Sequence, residues 1–166
     1  MLNSKDAEAI LQSLVGQKLV QIYRFFELVG IGFRDTSDHG KTKNYGRFHL
    51  SMVFHLQCPF RIETTDKIVI GREDLFVSST DDFDVDLAED DTCVFDGIVK
   101  DFGARYDSEY VRKVTVNSFG DVTVELTTLK IRIFVAGSTE KEAWRFFPTD
   151  DVSEHLVNEN GKLELT

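Results

Sequence analysis

The sequence contains few of the residues that usually signal covalent or metal-assisted chemistry. It has two cysteines, four histidines and two prolines in 166 residues. Cys58 and Cys93 form no C-x-x-C pattern and stand far apart, which predicts neither a disulfide framework nor a zinc site. We expect both to be reduced, partly buried thiols, because a free cysteine behaves as a small hydrophobe.

Membrane-spanning and secretory patterns are missing as well. No window approaches the roughly 18 consecutive apolar residues of a transmembrane helix. Asp6 and Glu8 lie where a signal peptide needs positive charge followed by an apolar run. The sequence therefore predicts a cytoplasmic protein with no membrane association.

An excess of positive charge is also missing. The formal net charge is −10, whereas binding to a phosphate backbone depends on clustered Lys and Arg. Nucleic acid is therefore excluded as the expected partner. Hydrophobic residues make up 42% of the chain, and 14 residues are Phe, so the composition predicts a folded chain rather than a disordered one. The length predicts a single domain over residues 1–166.

The known catalytic and cofactor-binding motifs are missing from the sequence or incomplete. There is no G-x-S-x-G elbow and no P-loop. His49 and His55 would lie about 20 Å apart along one strand, too far to share an ion. Asp82, Asp84 and Asp86 give the pattern D-x-D-x-D. An EF-hand loop would also need Gly at its sixth position and Glu at its twelfth, where this sequence has Leu87 and Cys93. We predict no metal and no cofactor. No catalytic residue is assigned, and enzymatic activity stays an open alternative, because a site assembled only in three dimensions leaves no trace in a sequence.

The local patterns predict an α+β fold that is mostly antiparallel β. Residues 4–15 have helical spacing, with Asn3 or Ser4 as cap and Gly16 as the left-handed stop. Residues 18–34 predict two strands or one bent strand, because Gly30 and Gly32 interrupt the apolar run. Residues 92–106 suit one further short helix, which Gly97 and Gly103 weaken.

The remaining strands are predicted from alternation and turns. Phe48, Leu50, Met52, Phe54 and Leu56 alternate with other residues over 47–58 and are expected to face the core from one central strand. Residues 111–126 predict a hairpin that turns at 117–121, where Gly120 can take a positive φ. Short turns join most of the strands, which favours a curved antiparallel sheet or a sandwich with the helices on a face or an edge.

The distribution of charge is the feature most suggestive of function. Residues 73–99, which we term the acidic window, contain ten acidic residues and no Lys or Arg. The other 19 acids balance the 19 Lys and Arg, so the whole net charge lies in this window. Like charges repel and favour exposure. One interpretation is a solvated loop that aids solubility; the other is an acidic surface that steers a basic partner.

The second interpretation gains from the apolar residues between the charges, since an interface needs them and a solubilising loop does not. We therefore predict a partner-binding site in residues 81–91, which we term the acidic loop. The residues assigned to this site are Asp81, Asp82, Phe83, Asp84, Asp86, Leu87, Glu89, Asp90 and Asp91.

Several stretches resemble small uncharacterised bacterial proteins. These are residues 14–19, residues 55–62 followed by 68–75, and the ending with Trp144, Phe146 and Phe147 and then His155. Some proteins of this appearance are similar to immunity proteins of polymorphic or contact-dependent toxin systems. The resemblance implies a cytosolic protein that blocks a toxin by binding it, and it carries over no catalytic residue.

Two functional hypotheses follow. The first is a protein-binding protein, in the form of an immunity protein that occludes a basic toxin such as a nuclease through its acidic surface. The alternative is a small enzyme or ligand-binding domain with a pocket in the curved sheet.

Overall fold

The chain forms an α+β fold dominated by antiparallel β-structure, as the sequence predicts. The computed structural model describes residues 1–37, 43–45, 48–81, 84–150 and 152–166. The helices are α1 (Ser4–Leu11) and α2 (Val94–Arg105), with 3-10 turns at Gln12–Leu14 and Arg72–Phe76. The strands are β1 (Lys18–Phe25), β2 (Leu28–Arg34), β3 (Lys43–Tyr45), β4 (Phe48–Leu50), β5 (Met52–Leu56), β6 (Phe60–Glu63), β7 (Ile68–Gly71), β8 (Lys113–Val116), β9 (Val122–Glu125), β10 (Lys130–Ile133), β11 (Trp144–Pro148), β12 (Leu156–Glu159) and β13 (Lys162–Leu165).

Two sheets contain most of the strands. The first has the order β1-β2-β5-β11-β12-β13 and the second the order β7-β6-β10-β9-β8, while β3 and β4 form a separate hairpin. All neighbouring strands pair antiparallel. The chain leaves the first sheet after β5, near Pro59, and returns to it at β11. Local turns join the consecutive pairs, such as β8 and β9 around Gly120, whose φ is +85°.

Both predicted helices are present. The Asn3 side chain accepts hydrogen bonds from the backbone N–H groups of Lys5 and Asp6 and so caps α1. Gly16, with φ +87°, ends this region after the 3-10 turn. α2 forms despite its two glycines, both of which lie at exposed positions. No helix in the described part of the chain is long and apolar enough to cross a membrane.

The predicted single strand over 47–58 is interrupted at Ser51, which separates β4 from β5. The Ser51 hydroxyl donates to Gln17 Oε1 at 2.6 Å and accepts from the Asp35 N–H at 2.8 Å. Leu50 consequently packs with Val53, on the face of the sheet opposite to Phe54. Its predicted position in the main core is therefore wrong.

The other predictions for this segment divide three ways. Phe54 and Leu56 are buried in the main core, as predicted, and Met52 packs against it half-buried. Arg47 and the side chain of Phe48 lie outside the described part of the chain.

One continuous hydrophobic core includes residues from both sheets and both helices. Phe54 lies at its centre in the first sheet, with ring contacts to Phe33, Trp144 and Phe146. The buried Trp144 indole donates to the Gly120 carbonyl at 2.9 Å, which satisfies its one polar atom. Cys58 and Cys93 are both free and buried, and burial raises the pKa of the Cys58 thiol to about 12.

Candidate functional site

The acidic loop connects the 3-10 turn after β7 to the start of α2. Of the residues assigned to it from sequence, Asp82 and Phe83 lie outside the described residues. Six acids have exposed side chains: Asp81, Asp84, Asp86, Glu89, Asp90 and Asp91. The described part of the loop therefore presents its charge to solvent.

Two apolar residues of the acidic loop point inward. Leu87 and Val85 are half-buried and pack against the main core. They hold the loop to the body of the protein, which gives their presence among the charges a structural reason. Leu87 was assigned to the partner-binding site because it is apolar, and its packing leaves only part of its surface accessible.

A buried arginine fixes the course of the acidic loop. Arg24, near the end of β1, donates to the carbonyl oxygens of Leu87 and Glu89, both at 2.7 Å. Its guanidinium also forms a two-pronged ion pair with Asp96 of α2, at 2.7 and 2.8 Å. The side chains of Arg24 and Asp96 are only 5% and 12% exposed, so this pair is part of the interior.

The ion pair keeps both of its members charged. Burial by itself would raise the pKa of Asp96, but hydrogen bonds from Arg24 and Cys93 and the charge of Arg24 outweigh it, so the pKa of Asp96 lies below its ordinary value. The hydrogen bond with Asp96 raises the pKa of Arg24. Asp96 thus differs from the exposed acids of the acidic window, because its carboxylate is paired with Arg24 inside the protein.

The turn between β1 and β2 brings two phenylalanines to the surface next to Arg24, which anchors the acidic loop. Pairing of the two strands continues to Phe25 and Leu28, which leaves Phe26 and Glu27 as a two-residue turn. Phe25 is 69% exposed and Phe26 is 51% exposed, and their rings meet edge to face at 4.8 Å. We term residues 25–27 the hairpin tip.

The backbone of the hairpin tip is strained. Two-residue hairpin turns require positive φ, which Gly, Asn and Asp usually supply. Here Phe26 has φ +51°, a conformation that bulky residues rarely adopt. Such strain persists only where the surrounding structure imposes it, and it concentrates at functional positions.

A third exposed phenylalanine borders the hairpin tip. Arg72 donates to the Glu27 carbonyl at 3.0 Å, and its guanidinium carbon lies 5.8 Å from the centre of the Phe76 ring. Phe76 is exposed as well. We term the hairpin tip, Phe76 and the acidic loop together the tip–loop surface. It combines exposed aromatic rings with exposed carboxylates.

A second group of functional side chains lies on the outer face of the six-stranded sheet. We term this group the histidine cluster. Hydrogen bonds and ring contacts connect its members, which are Tyr23, His55, Phe147, His155, Arg145 and Glu142. The Tyr23 hydroxyl is 2.8 Å from His55 Nε2. The Phe147 ring contacts both imidazoles, each with a centroid separation of 4.8 Å.

Gly30 makes the contact between Tyr23 and His55 possible. Tyr23 is on β1 and His55 on β5, with β2 between them. A Cβ atom at Gly30 would lie only 2.0 Å from the Tyr23 ring, so the ring crosses β2 in the space that the missing side chain leaves. This is the close approach that a glycine within a strand predicts.

Replacement of Gly30 by alanine is therefore expected to displace the Tyr23 ring. We expect a loss of about 1–3 kcal/mol in the free energy of unfolding, the usual cost of overpacking. Urea denaturation measures the loss, and Gly103→Ala is the control because its added Cβ meets no atom within 4 Å. Combining Gly30→Ala with Tyr23→Ala should restore part of the stability. A Gly30→Ala protein as stable as the parent would contradict this account.

The far end of the histidine cluster has a defined protonation state. An arginine can only donate, so His155 Nδ1 accepts from Arg145 Nη1 at 3.1 Å. The ring is then neutral, with its proton on Nε2. Glu142 receives two further hydrogen bonds from Arg145, at 3.2 and 2.8 Å. Burial lowers the pKa of both histidines, and the charge of Arg145 adds to the effect.

These lowered pKa values predict acid sensitivity. The folded protein binds protons at His55 and His155 less readily than the unfolded chain does, so stability is present above the ordinary histidine pKa near 6.5 and decreases as the pH falls below it. We expect the free energy of unfolding to be lower at pH 5.5 than at pH 7.5, as measured by urea denaturation.

The matched variants for this test are His55→Gln with His155→Gln, and His49→Gln at an exposed position on β4. The double variant should lose most of the pH dependence, and the His49 variant should keep it. Reduced repulsion among the carboxylates acts in the opposite direction on acidification, so the parent is compared with the double variant, and an equal pH dependence of the two would refute the assignment.

Sequence reasoning missed the hairpin tip, the Arg24 anchor and the histidine cluster. Tyr23 and His55 are 32 residues apart, and Arg24 and Asp96 are 72 apart, so no local pattern connects them. The one available signal was Gly30 within a strand. Within the described ranges, no three His, Cys, Asp or Glu side chains are grouped so as to hold a metal ion; His39 lies outside them.

Comparison of the chain with protein-family models, with curated proteins and with solved structures finds no match.

Proposed function

We propose that this chain is a cytoplasmic protein-binding protein whose tip–loop surface docks onto a basic partner. The observation that carries the proposal is the anchoring of the acidic loop beside the exposed Phe25–Phe26 pair by the buried Arg24. Aromatic side chains supply much of the binding energy at protein interfaces, and the charged rim governs the rate of encounter.

The partner that fits this surface has an apolar recess surrounded by Lys and Arg. A nuclease toxin with a cationic active-site face is one such protein, which agrees with the resemblance to immunity proteins. The mechanism would be occlusion: the carboxylates attract the cationic face, and the phenylalanines then hold the complex in place of the anionic substrate.

The test uses the product of the reading frame adjacent to this one as the candidate partner, with binding kinetics measured across a salt series. Phe25→Ser with Phe26→Ser should raise the dissociation rate about tenfold or more. Replacing Asp84, Asp86 and Glu89 by their amides should slow association at low salt, with little effect near physiological salt, where the Debye length is about 8 Å.

Phe119→Ser is the matched control, since Phe119 is as exposed as Phe25 but lies in the turn between β8 and β9. It should leave both rates unchanged. Unaltered kinetics in the hairpin-tip variant and in the amide variant would refute the tip–loop surface as the docking site. Loss of protection against the toxin in cells carrying the hairpin-tip variant would support occlusion.

A second candidate function is a small enzyme or ligand-binding site at the histidine cluster. It is favoured by the neutral His155 and the Tyr23–His55 hydrogen bond on one sheet face, groups suited to proton transfer. The two candidates separate experimentally: His55→Gln would abolish such an activity and leave partner binding intact, whereas the hairpin-tip variant would do the reverse.

A further inference from the structure

The five-stranded sheet ends in an unpaired edge at β7. In the described structure β7 pairs only with β6. Thr64 donates to the Lys67 carbonyl at 2.9 Å, which makes the next pair, Glu63 with Ile68, of the non-hydrogen-bonded type. The N–H and C=O of Ile68 therefore point away from β6, and the Ile68 side chain is 60% exposed.

A groove runs between this edge and α2. Its volume is about 450 Å³. The apolar lining comes from Val69 on β7 and from Val94, Ile98 and Phe102 on α2. An unpaired strand edge next to an apolar groove is the arrangement that binds an extended peptide as an additional strand, with backbone hydrogen bonds for affinity and side-chain pockets for specificity.

The charges around the groove favour an acidic ligand. Lys67 and Arg105 both line it, and neither forms an ion pair with any residue that the structure describes. Asp101 adds one negative charge, which leaves a positive balance on a protein whose net charge is −10. A carboxylate would find its complement here and repulsion at the acidic loop.

We propose that the groove between β7 and α2 binds an extended segment of a partner protein as an added β-strand. An apolar side chain of that segment fills the groove, a carboxylate lies between Lys67 and Arg105, and its backbone pairs with Ile68. This site is separate from the tip–loop surface and does not depend on the function proposed for that surface.

α2 offers a clean way to close the groove. Gly97 lines it, and a Cβ added there meets no atom within 4 Å. Gly97→Leu therefore fits without a clash at the Cβ, improves helix propensity, and places four carbon atoms in the groove. Gly103→Leu on the same helix is the matched control, because it has the same open surroundings and does not line the groove.

The experiment selects binders from a displayed random library of peptides of about eight residues, roughly 26 Å when extended. The intact protein is the target. The selected peptides should share an apolar residue with a nearby Asp or Glu, and should slow hydrogen exchange at the Ile68 amide. Gly97→Leu should weaken their binding about tenfold or more, and Gly103→Leu less than about twofold. Lys67→Glu with Arg105→Glu should also weaken it.

Two binding results would overturn the proposal: a selection that enriches no peptide, or equal peptide binding to the two leucine variants. A concentration-dependent dimer that Gly97→Leu alone abolishes would also overturn it, since that would assign the groove to a second copy of this chain. The hairpin-tip variant should bind the selected peptides normally, so the failure of one proposal is distinguishable from the failure of the other.

Discussion

Replacing Arg24 by methionine is expected to lower the free energy of unfolding by about 3–5 kcal/mol, the usual cost of removing one member of a buried ion pair. The change leaves the Asp96 carboxylate buried without its counter-ion and deprives the Leu87 and Glu89 carbonyls of their donor. Methionine keeps most of the length of the side chain, so loss of packing contributes little. Urea denaturation at neutral pH measures the loss.

Arg72→Met is the control for this prediction. Arg72 is also largely buried, but it pairs at 3.4 Å with a Glu27 carboxylate that is 62% exposed and stays solvated when the arginine is removed, so its loss should cost clearly less than the loss of Arg24. Hydrogen exchange supplies an independent readout: amides of residues 84–91 should exchange faster in the Arg24 variant and not in the Arg72 variant. A loss of less than about 1 kcal/mol in the Arg24 variant, the size expected for an exposed pair, would show that Arg24 is not a buried anchor.

Replacing Phe54 by alanine should cost about 3–5 kcal/mol, because the site lies at the centre of a packed core and cannot collapse fully around the cavity. Phe54 is buried between the rings of Phe33, Trp144 and Phe146. Thermal and urea denaturation measure the effect. The same substitution at the exposed Phe119 should change stability by less than about 0.5 kcal/mol, and a loss of similar size there would contradict the assignment of the core.

The predicted binding residues of the acidic loop concern binding to a partner and not the stability of the fold. The exposed acids of the acidic loop are placed as an interface requires, but exposure is also what a solvated loop would show. Phe25, Phe26 and Arg24 strengthen the hypothesis of an interface, and all three belong to a run that the sequence assigned simply to a strand.

Elements with a local cause were predictable from the sequence. Asn3 caps α1 because a cap needs only the next three residues. The β8–β9 hairpin follows from alternating valines around a turn in which Gly120 takes φ +85°. Alternation and short turns together imply antiparallel pairing, so the fold class was predictable from neighbours within about a dozen residues.

The face that Leu50 occupies, and the distant residues that meet, depend on tertiary packing. The alternation over 47–58 continues through Ser51 in sequence, but the strand is interrupted where the Ser51 hydroxyl donates to Gln17 and accepts from the Asp35 N–H, and Leu50 lies on the other face. The Arg24–Asp96 pair and the Tyr23–His55 contact depend on the packing of α2 and the strand order of the sheet. Periodicity measures local burial, whereas the partner of a charged or polar side chain is set by elements far away in the chain.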